Sequence, residues 1–468
     1  KQLPEPEFTG GEAYTAPATG IQKKLCQVYA DVLGLVASII GIHDDFFRLG
    51  GNSIMAIRLI SKIQQVLGLQ VAVATVFSYK TIAALADVLA DENNRGEQIF
   101  IPAVTVSSPE EQRLSFAQER LWFIEAYEKG SNAYNIPMAA VLHEKTAIDV
   151  FCTALKTVVK RHEVLRSLIR TTGEGVGYQV VTDLVPEITT TEVHTREELD
   201  QHIHQCANKV FSLDEEIPVH IALFKLENQT YLSIVIHHIA FDGWSTGIFL
   251  NEVQAIYSSL VKGETAELPA LKIQYKDFAL WQRNYLRGTR LEQQISYWKN
   301  QLDDFQHLDL PTDFRRPSQI SYEGENLYFK LTREQGEKLR NLSKDLGVSL
   351  YSVMLSGYYL MLSSYSGQDD IVVGSPIANR HHAELEDMIG FFVNTLALRE
   401  KIDPEQSLKD FILQVSKSVT EAQSHQDLPF EKLVDELGIA QDTSRHPVFQ
   451  VMFGLQQETA LIRDNEAI

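Results

Sequence analysis

The chain has 468 residues, 44% hydrophobic and 22% charged, with a formal net charge of −20, which is ordinary for a globular protein and long enough for two to four domains. The acidity argues against nucleic acid as a partner, and no run approaches the ~18 consecutive apolar residues of a membrane span, nor does a signal peptide open the chain. Cys26, Cys152 and Cys206 are widely spaced and lack CxxC or Cys/His ligand spacing. They predict neither a disulfide framework nor a metal site, as suits a cytoplasmic protein.

In chain order, residues 1–19 are rich in Pro, Gly, Glu and Thr, carry no hydrophobic period, and read as a linker. Residues 20–91 predict a compact helical domain, near neutral with six Lys/Arg against five Asp/Glu. Its key stretch is DDFFRLGGNSIMAIRLISKIQQVLG (Asp44 to Gly68). There Ile54, Ile57, Ile60, Ile63 and Leu67 form a helical stripe. Gly50 and Gly51 permit a tight turn, and Asn52 or Ser53 can cap the helix. Residues 92–111 form a polar second linker.

The remainder, 112–468, mixes helical and strand periods. Phe116, Leu121, Trp122 and Phe123 of LSFAQERLWFIEAY predict a helix that fills core. RHEVLRSLIR (Arg161 to Arg170) switches from helix to strand, with His162 capping or packing, and QYKDFALWQ (Gln274 to Gln282) reads as a structural helix. DMIGFFVNTLALR (Asp387 to Arg399) reads as a strand with buried aromatics, and HQDLPFEKLVDEL (His425 to Leu437) as a loop whose Pro429 enters a helix. RHPVFQVMF (Arg445 to Phe453) comes last, with fifteen residues after it.

YLSIVIHHIAFDGWS (Tyr231 to Ser245) carries the most chemistry. It predicts a buried strand ending in His237 and His238, then an Asp-Gly turn. Neighbouring strand side chains face opposite ways, so only one histidine can face a cavity.

This HHxxxDG spacing is similar to the signature of the condensation domains of nonribosomal peptide synthetases, and the other stretches quoted follow that family's order. The Asp44 to Gly68 stretch resembles the peptidyl carrier motif Asp-x-Phe-Phe…Leu-Gly-Gly-x-Ser, with Asn52 where that family usually has His or Asp. The resemblance implies a small all-α four-helix carrier domain (20–91) and a large α/β domain of two chloramphenicol-acetyltransferase-like lobes in a V (112–275 and 276–468). Family members run further past the last motif, so the C-terminal lobe is expected to be incomplete and the chain to be cut from a longer assembly line.

The same resemblance implies 4'-phosphopantetheine on the Ser53 hydroxyl, attached by a phosphopantetheinyl transferase. It implies an upstream adenylation domain, whose tail the first residues resemble, and downstream adenylation and carrier domains. A monomer is expected. Residues carried over are His238 at the amine, as base or orienting group, and His237 as a structural neighbour. Asp242 is expected in a structural ion pair with Arg380 or, second, Arg166, rather than in a triad with His238 and Ser245. Gly243 is either a turn glycine or a backbone N–H donor to the reacting carbonyl. The rival readings are a carrier-linked epimerisation domain and an inert domain that recruits a partner; a heterocyclisation domain would carry aspartates at the two histidines.

Overall fold

The computed structural model describes residues 14–456 apart from 52, 70, 72–74, 77–78, 91–99, 106–107, 109–110, 128–131, 318–323, 381, 440–441 and 443. The chain forms two compact units. The first takes in the chain up to Phe100, then Glu292–Glu386 and Asn394–Leu455; the second takes in Ile101–Leu291 and Asp387–Val393.

The first unit opens with helices α1 (Gly20–Leu33), α2 (Ser53–Leu67) and α3 (Ile82–Ala90). Thr19 and Gln22 form a capping box at the start of α1, and Gly34 ends it in the left-handed conformation. Leu25, Tyr29, Ile40, Phe46, Leu59, Ile63 and Leu85 are fully buried between these helices. On α2 the buried stripe is Ala56, Leu59, Ile60 and Ile63, one helical face at i, i+3, i+4 and i+7. This corrects the expected stripe, of which Ile60 and Ile63 are kept and Leu67 is only partly buried. The side chains of Ile54 and Ile57 lie outside the described residues.

The second unit contains α4 (Phe116–Tyr127), β1 (Asn135–Leu142), α5 (Ile148–Arg161), β2 (Ser167–Thr171), β3 (Gly177–Val181), β4 (Ile188–Val193), α6 (Arg196–Ala207), β5 (Val219–Leu226), β6 (Gln229–His237), α7 (Gly243–Val261) and α8 (Tyr275–Tyr285). Its main sheet runs β1-β6-β5-β4, with β4 parallel to β5 and the other pairs antiparallel. Strand β6 lies inside that sheet, and it is buried from Tyr231 to His237, with Ser233 the one polar residue before the histidine, as expected of a strand covered on both faces. Phe123 of α4 is an exception to the expected core, at 61% exposed, whereas Leu121 is buried.

Helix α9 (Gly288–Gln301) leads back to the first unit, which adds α10 (Arg333–Leu346), α11 (Leu350–Ser366), β7 (Asp370–Ile377), β8 (Asn394–Lys401), α12 (Leu408–Ser424) and α13 (Phe430–Leu437). Strands β7 and β8 pair antiparallel, locked by the Arg399–Asp370 ion pair at 2.6 Å. Within this unit Lys80, just before α3, donates from Nζ to the Gly347 carbonyl at 2.5 Å. Gly347 is the C-cap of α10, where a cation meets the negative end of the helix. No single described helix is long and apolar enough to cross a bilayer.

Candidate active site

The two histidines part at the end of β6. His237, the last strand residue, is 2% exposed, and its Nδ1 accepts the Ile239 amide at 3.1 Å. That bond uses the Nδ1 lone pair, so the ring proton sits on Nε2 and points to Glu125 Oε1 at 3.2 Å. Both ring nitrogens of His237 are engaged.

His238 opens a short 3-10 turn, His238–Ala240, held by its own amide donating to the Tyr134 carbonyl at 2.8 Å. Its side chain is half-buried and packs edge-on against the Phe391 ring, with centroids 4.7 Å apart at 67°. The buried Nδ1 has no hydrogen-bond partner among the described residues. Burial pushes the imidazole below its ordinary pKa, more than the adjacent backbone and the Asp242 carboxylate raise it. A neutral imidazole is what proton acceptance or amine orientation needs.

Asp242 is fully buried and caps α7. Its Oδ1 accepts the Ser245 amide at 2.9 Å and the Ser245 hydroxyl at 2.7 Å, and its Oδ2 accepts the Phe392 amide at 3.1 Å. Ser245 Oγ also accepts the Gly390 amide at 3.1 Å. These bonds make Asp242 and Ser245 a cap and a clasp. The sequence carried a signal for this: Asp-Gly-Trp-Ser puts an N-cap residue three positions ahead of a hydroxyl on the first helical turn.

The segment that receives these bonds overturns an expectation. Of Asp387 to Arg399, read as one strand, only the part from Asn394 is extended β; Asp387–Val393 is irregular and belongs to the second unit. An apolar run such as IGFFV is compatible with any buried backbone, so periodicity could not separate a strand from a fixed irregular segment. His162, buried at 1% exposed, accepts the Ile389 amide through Nδ1 at 3.5 Å and holds Glu252 of α7 at 2.8 Å through Nε2. Burial raises the Glu252 pKa, but His162 and Arg161 outweigh it and leave the carboxyl below its usual range.

Sequence reading missed Ser115, Gln118 and Tyr275. Ser115 and Gln118 form a reciprocal capping box at the start of α4, at 3.2 and 3.1 Å, and Gln118 Nε2 donates to the Ile239 carbonyl of the histidine turn at 3.1 Å. Ser115 Oγ meets Tyr275 Oη at 2.8 Å, and Tyr275 Oη donates to the Phe391 carbonyl at 2.5 Å. The S-x-x-Q spacing in LSFAQER was the available signal.

Gly243 is the exposed first residue of α7, with no atom within 4 Å of where its Cβ would stand. Neither packing nor a left-handed backbone therefore demands glycine there. Arg166 corrects the second-choice partner of Asp242: its guanidinium is taken by the Lys160 and Thr182 carbonyls and the carboxylates of Glu163 and Asp183. Arg380 is fully buried in the first unit and donates to the Leu385 carbonyl at 2.6 Å.

Ser53 is the first residue of α2. Before it, Gly50 has φ +105°, and a Cβ on Gly51 would stand 2.4 Å from the Phe46 ring. The turn thus delivers Ser53 to a helix N-terminus, whose free amides favour a phosphodiester. Asn52 lies outside the described residues.

A profile for the phosphopantetheine attachment site matches residues 23–89, and one for the condensation domain matches residues 109–466. N-(5-amino-5-carboxypentanoyl)-L-cysteinyl-D-valine synthase of Amycolatopsis lactamdurans is 41% identical over 97% of this chain, and a linear gramicidin synthase polypeptide of Brevibacillus parabrevis is 38% identical over 97%. The chain spans 12% and 9% of those relatives. Among solved structures, the X-domain from teicoplanin biosynthesis, also solved in complex with OxyB, matches 76% of this chain and 79% of its own, with a TM-score of 0.69 and 27% identity.

Proposed function

The chain belongs to the condensation-domain family, with a phosphopantetheine attachment domain ahead of it, and from that premise we propose that it forms peptide bonds between carrier-tethered groups. Phosphopantetheine on the Ser53 hydroxyl supplies the thiol that holds the donor acyl group as an activated thioester. The amine comes from an aminoacyl group on a downstream carrier. A thioester is already activated, so the protein needs no nucleophile of its own. It must hold two groups in attack geometry, which contributes several kcal/mol through effective concentration, and manage one proton and one developing negative charge.

His238 carries this reading, because it is the half-buried imidazole of the motif, biased toward its neutral form. It would orient the amine or accept its proton as the C–N bond forms, the thioester C–S bond breaks and the carrier thiol leaves with a proton. The amide of Gly243, an exposed residue at the N-terminus of α7, is proposed as a donor to the carbonyl oxygen as charge develops there. His237 and Asp242 hold the turn, and Arg380 is proposed as the ionic partner of Asp242. An upstream adenylation domain would load Ser53 after a phosphopantetheinyl transferase has modified it. Downstream adenylation and carrier domains would supply the acceptor, with the chain a monomer in the cytoplasm.

The test is a single-turnover assay on this chain. Ser53 is loaded with an aminoacyl-phosphopantetheine, a separate aminoacyl carrier is added, and the acceptor is read by intact-protein mass spectrometry. Wild type is expected to give a dipeptidyl acceptor, and His238→Ala to slow its formation by about 10²–10⁴-fold, the usual range for a group managing a proton. Solvent deuterium at the donor α-carbon without transfer would instead identify an epimerisation domain. A loaded, folded chain giving neither would point to a recruiting domain.

A further inference from the structure

The Asp387–Val393 segment is fixed more firmly than its irregular backbone suggests. His162 receives the Ile389 amide, Ser245 the Gly390 amide and Asp242 the Phe392 amide, while Tyr275 donates to the Phe391 carbonyl. Phe392 is 2% exposed and packs on Tyr275 and Phe278, with centroids at 4.9 and 4.7 Å. Phe391 is half-buried, and its ring meets His238. Two neighbouring phenylalanines thus divide the work: Phe392 anchors the segment in the core and Phe391 reaches the imidazole.

The turn that carries His238 and the segment that carries Phe391 are also tied to one network. Gln118 holds the Ile239 carbonyl, and Ser115 and Tyr275 pass the connection to the Phe391 carbonyl. Ring and imidazole are therefore set against each other from both backbones.

We infer that Phe391 is a positioning residue for the proposed condensation: its ring fixes the orientation of the His238 imidazole and excludes water from its Nδ1 side. The inference rests on the role proposed for His238. It accounts for a buried nitrogen without a polar partner, because an aromatic ring makes edge-to-face contact with an imidazole without supplying a hydrogen-bond acceptor. Besides the backbone of His238 and Phe241, the groups acting on the charge of His238 are Asp242 and His237, with Glu125 behind His237. From Met388 to Val393 the segment contributes no charged residue. Removing the ring therefore changes the hydration of His238 without removing a charge.

The experiment compares Phe391→Leu, Phe391→Tyr and His238→Ala in the full chain. His238 is titrated by NMR of histidine-labelled protein, and single-turnover transfer is followed from pH 5.5 to 8.5. Phe391→Leu is expected to raise the His238 midpoint toward the ordinary value of about 6.5 and to move the acidic limb of the rate profile the same way. The ratio of transfer at pH 6 to transfer at pH 8 would then fall below that of wild type. Phe391→Tyr, which keeps the ring, is expected to restore both. An unchanged midpoint and unchanged limb in a Phe391→Leu protein with wild-type melting temperature would overturn the inference. If His238→Ala transfers at the wild-type rate, the role of His238 fails first, and the NMR midpoint still decides whether the ring controls its environment.

Discussion

A Cβ built on Gly390 would come within 2.1 Å of Tyr275 Cδ2 and 2.8 Å of the Phe392 ring, so the backbone runs under the Tyr275 ring only as glycine. Both obstacles are core aromatics, and neither can swing aside cheaply. Gly390→Ala is expected to destabilise the protein by about 1–3 kcal/mol through overpacking, visible as a lower denaturant midpoint, and to reduce transfer by displacing Phe391. Gly243 gives the opposite contrast, because its Cβ position is empty. Gly243→Ala is expected to keep the wild-type midpoint, so any loss of transfer it causes reports crowding of the bound carbonyl rather than of the fold. At this scale the sequence exposed the histidine pair and the proposed attachment serine through their spacing. It hid Phe391, because the second residue of a Phe-Phe pair and the first carry no mark of which one turns to the core.

At the scale of elements, the decisive unit is the start of α7. Asp242 satisfies two amides and a hydroxyl there, which joins the first turn of the helix to a segment 150 residues further along the chain. Asp242→Ala loses an N-cap, about 1 kcal/mol, and leaves a buried amide unsatisfied, about 1–3 kcal/mol. A total near 2–4 kcal/mol is expected by chemical denaturation. Activity should fall in step with stability, and Asp242→Asn, which still accepts a capping bond, should recover part of both. A double-mutant cycle with Arg380→Met is expected to show coupling beyond additivity if the two are ionic partners, and none if Arg380 acts alone. The cap itself was legible in Asp-Gly-Trp-Ser and the capping box in Ser-Phe-Ala-Gln. What the spacing could not supply was the partner across the chain; the Arg166 guanidinium is committed to the Lys160 and Thr182 carbonyls.

Over the whole molecule, burial pushes His220, His238 and His307 below their ordinary pKa. Above about pH 6.5 each is neutral both folded and unfolded, so they leave stability unchanged. As pH falls below that value the unfolded chain takes up protons that the folded chain resists, and stability drops. Melting temperature is therefore expected to fall between pH 7 and 5.5, and His238→Ala should flatten part of that fall. The helical character of the N-terminal stretch and the mixed periods of the remainder were both legible in the sequence. The composition of the units was not, because it depends on a seven-residue excursion, Asp387–Val393, that local pattern cannot reveal.

That excursion makes the chain's order of synthesis matter. Residues 101–291 emerge complete, with Asp242, Ser245, His162 and Tyr275 in place, yet the amides and carbonyl that these four engage arrive about a hundred residues later. The Ser245–Gly390 bond closes a loop of 145 residues, whose closure entropy must be met before the contact forms. Until then the histidine turn has one wall missing and its buried polar groups turn to water. The nascent second unit is thus committed to its sheet early and to its chemistry late.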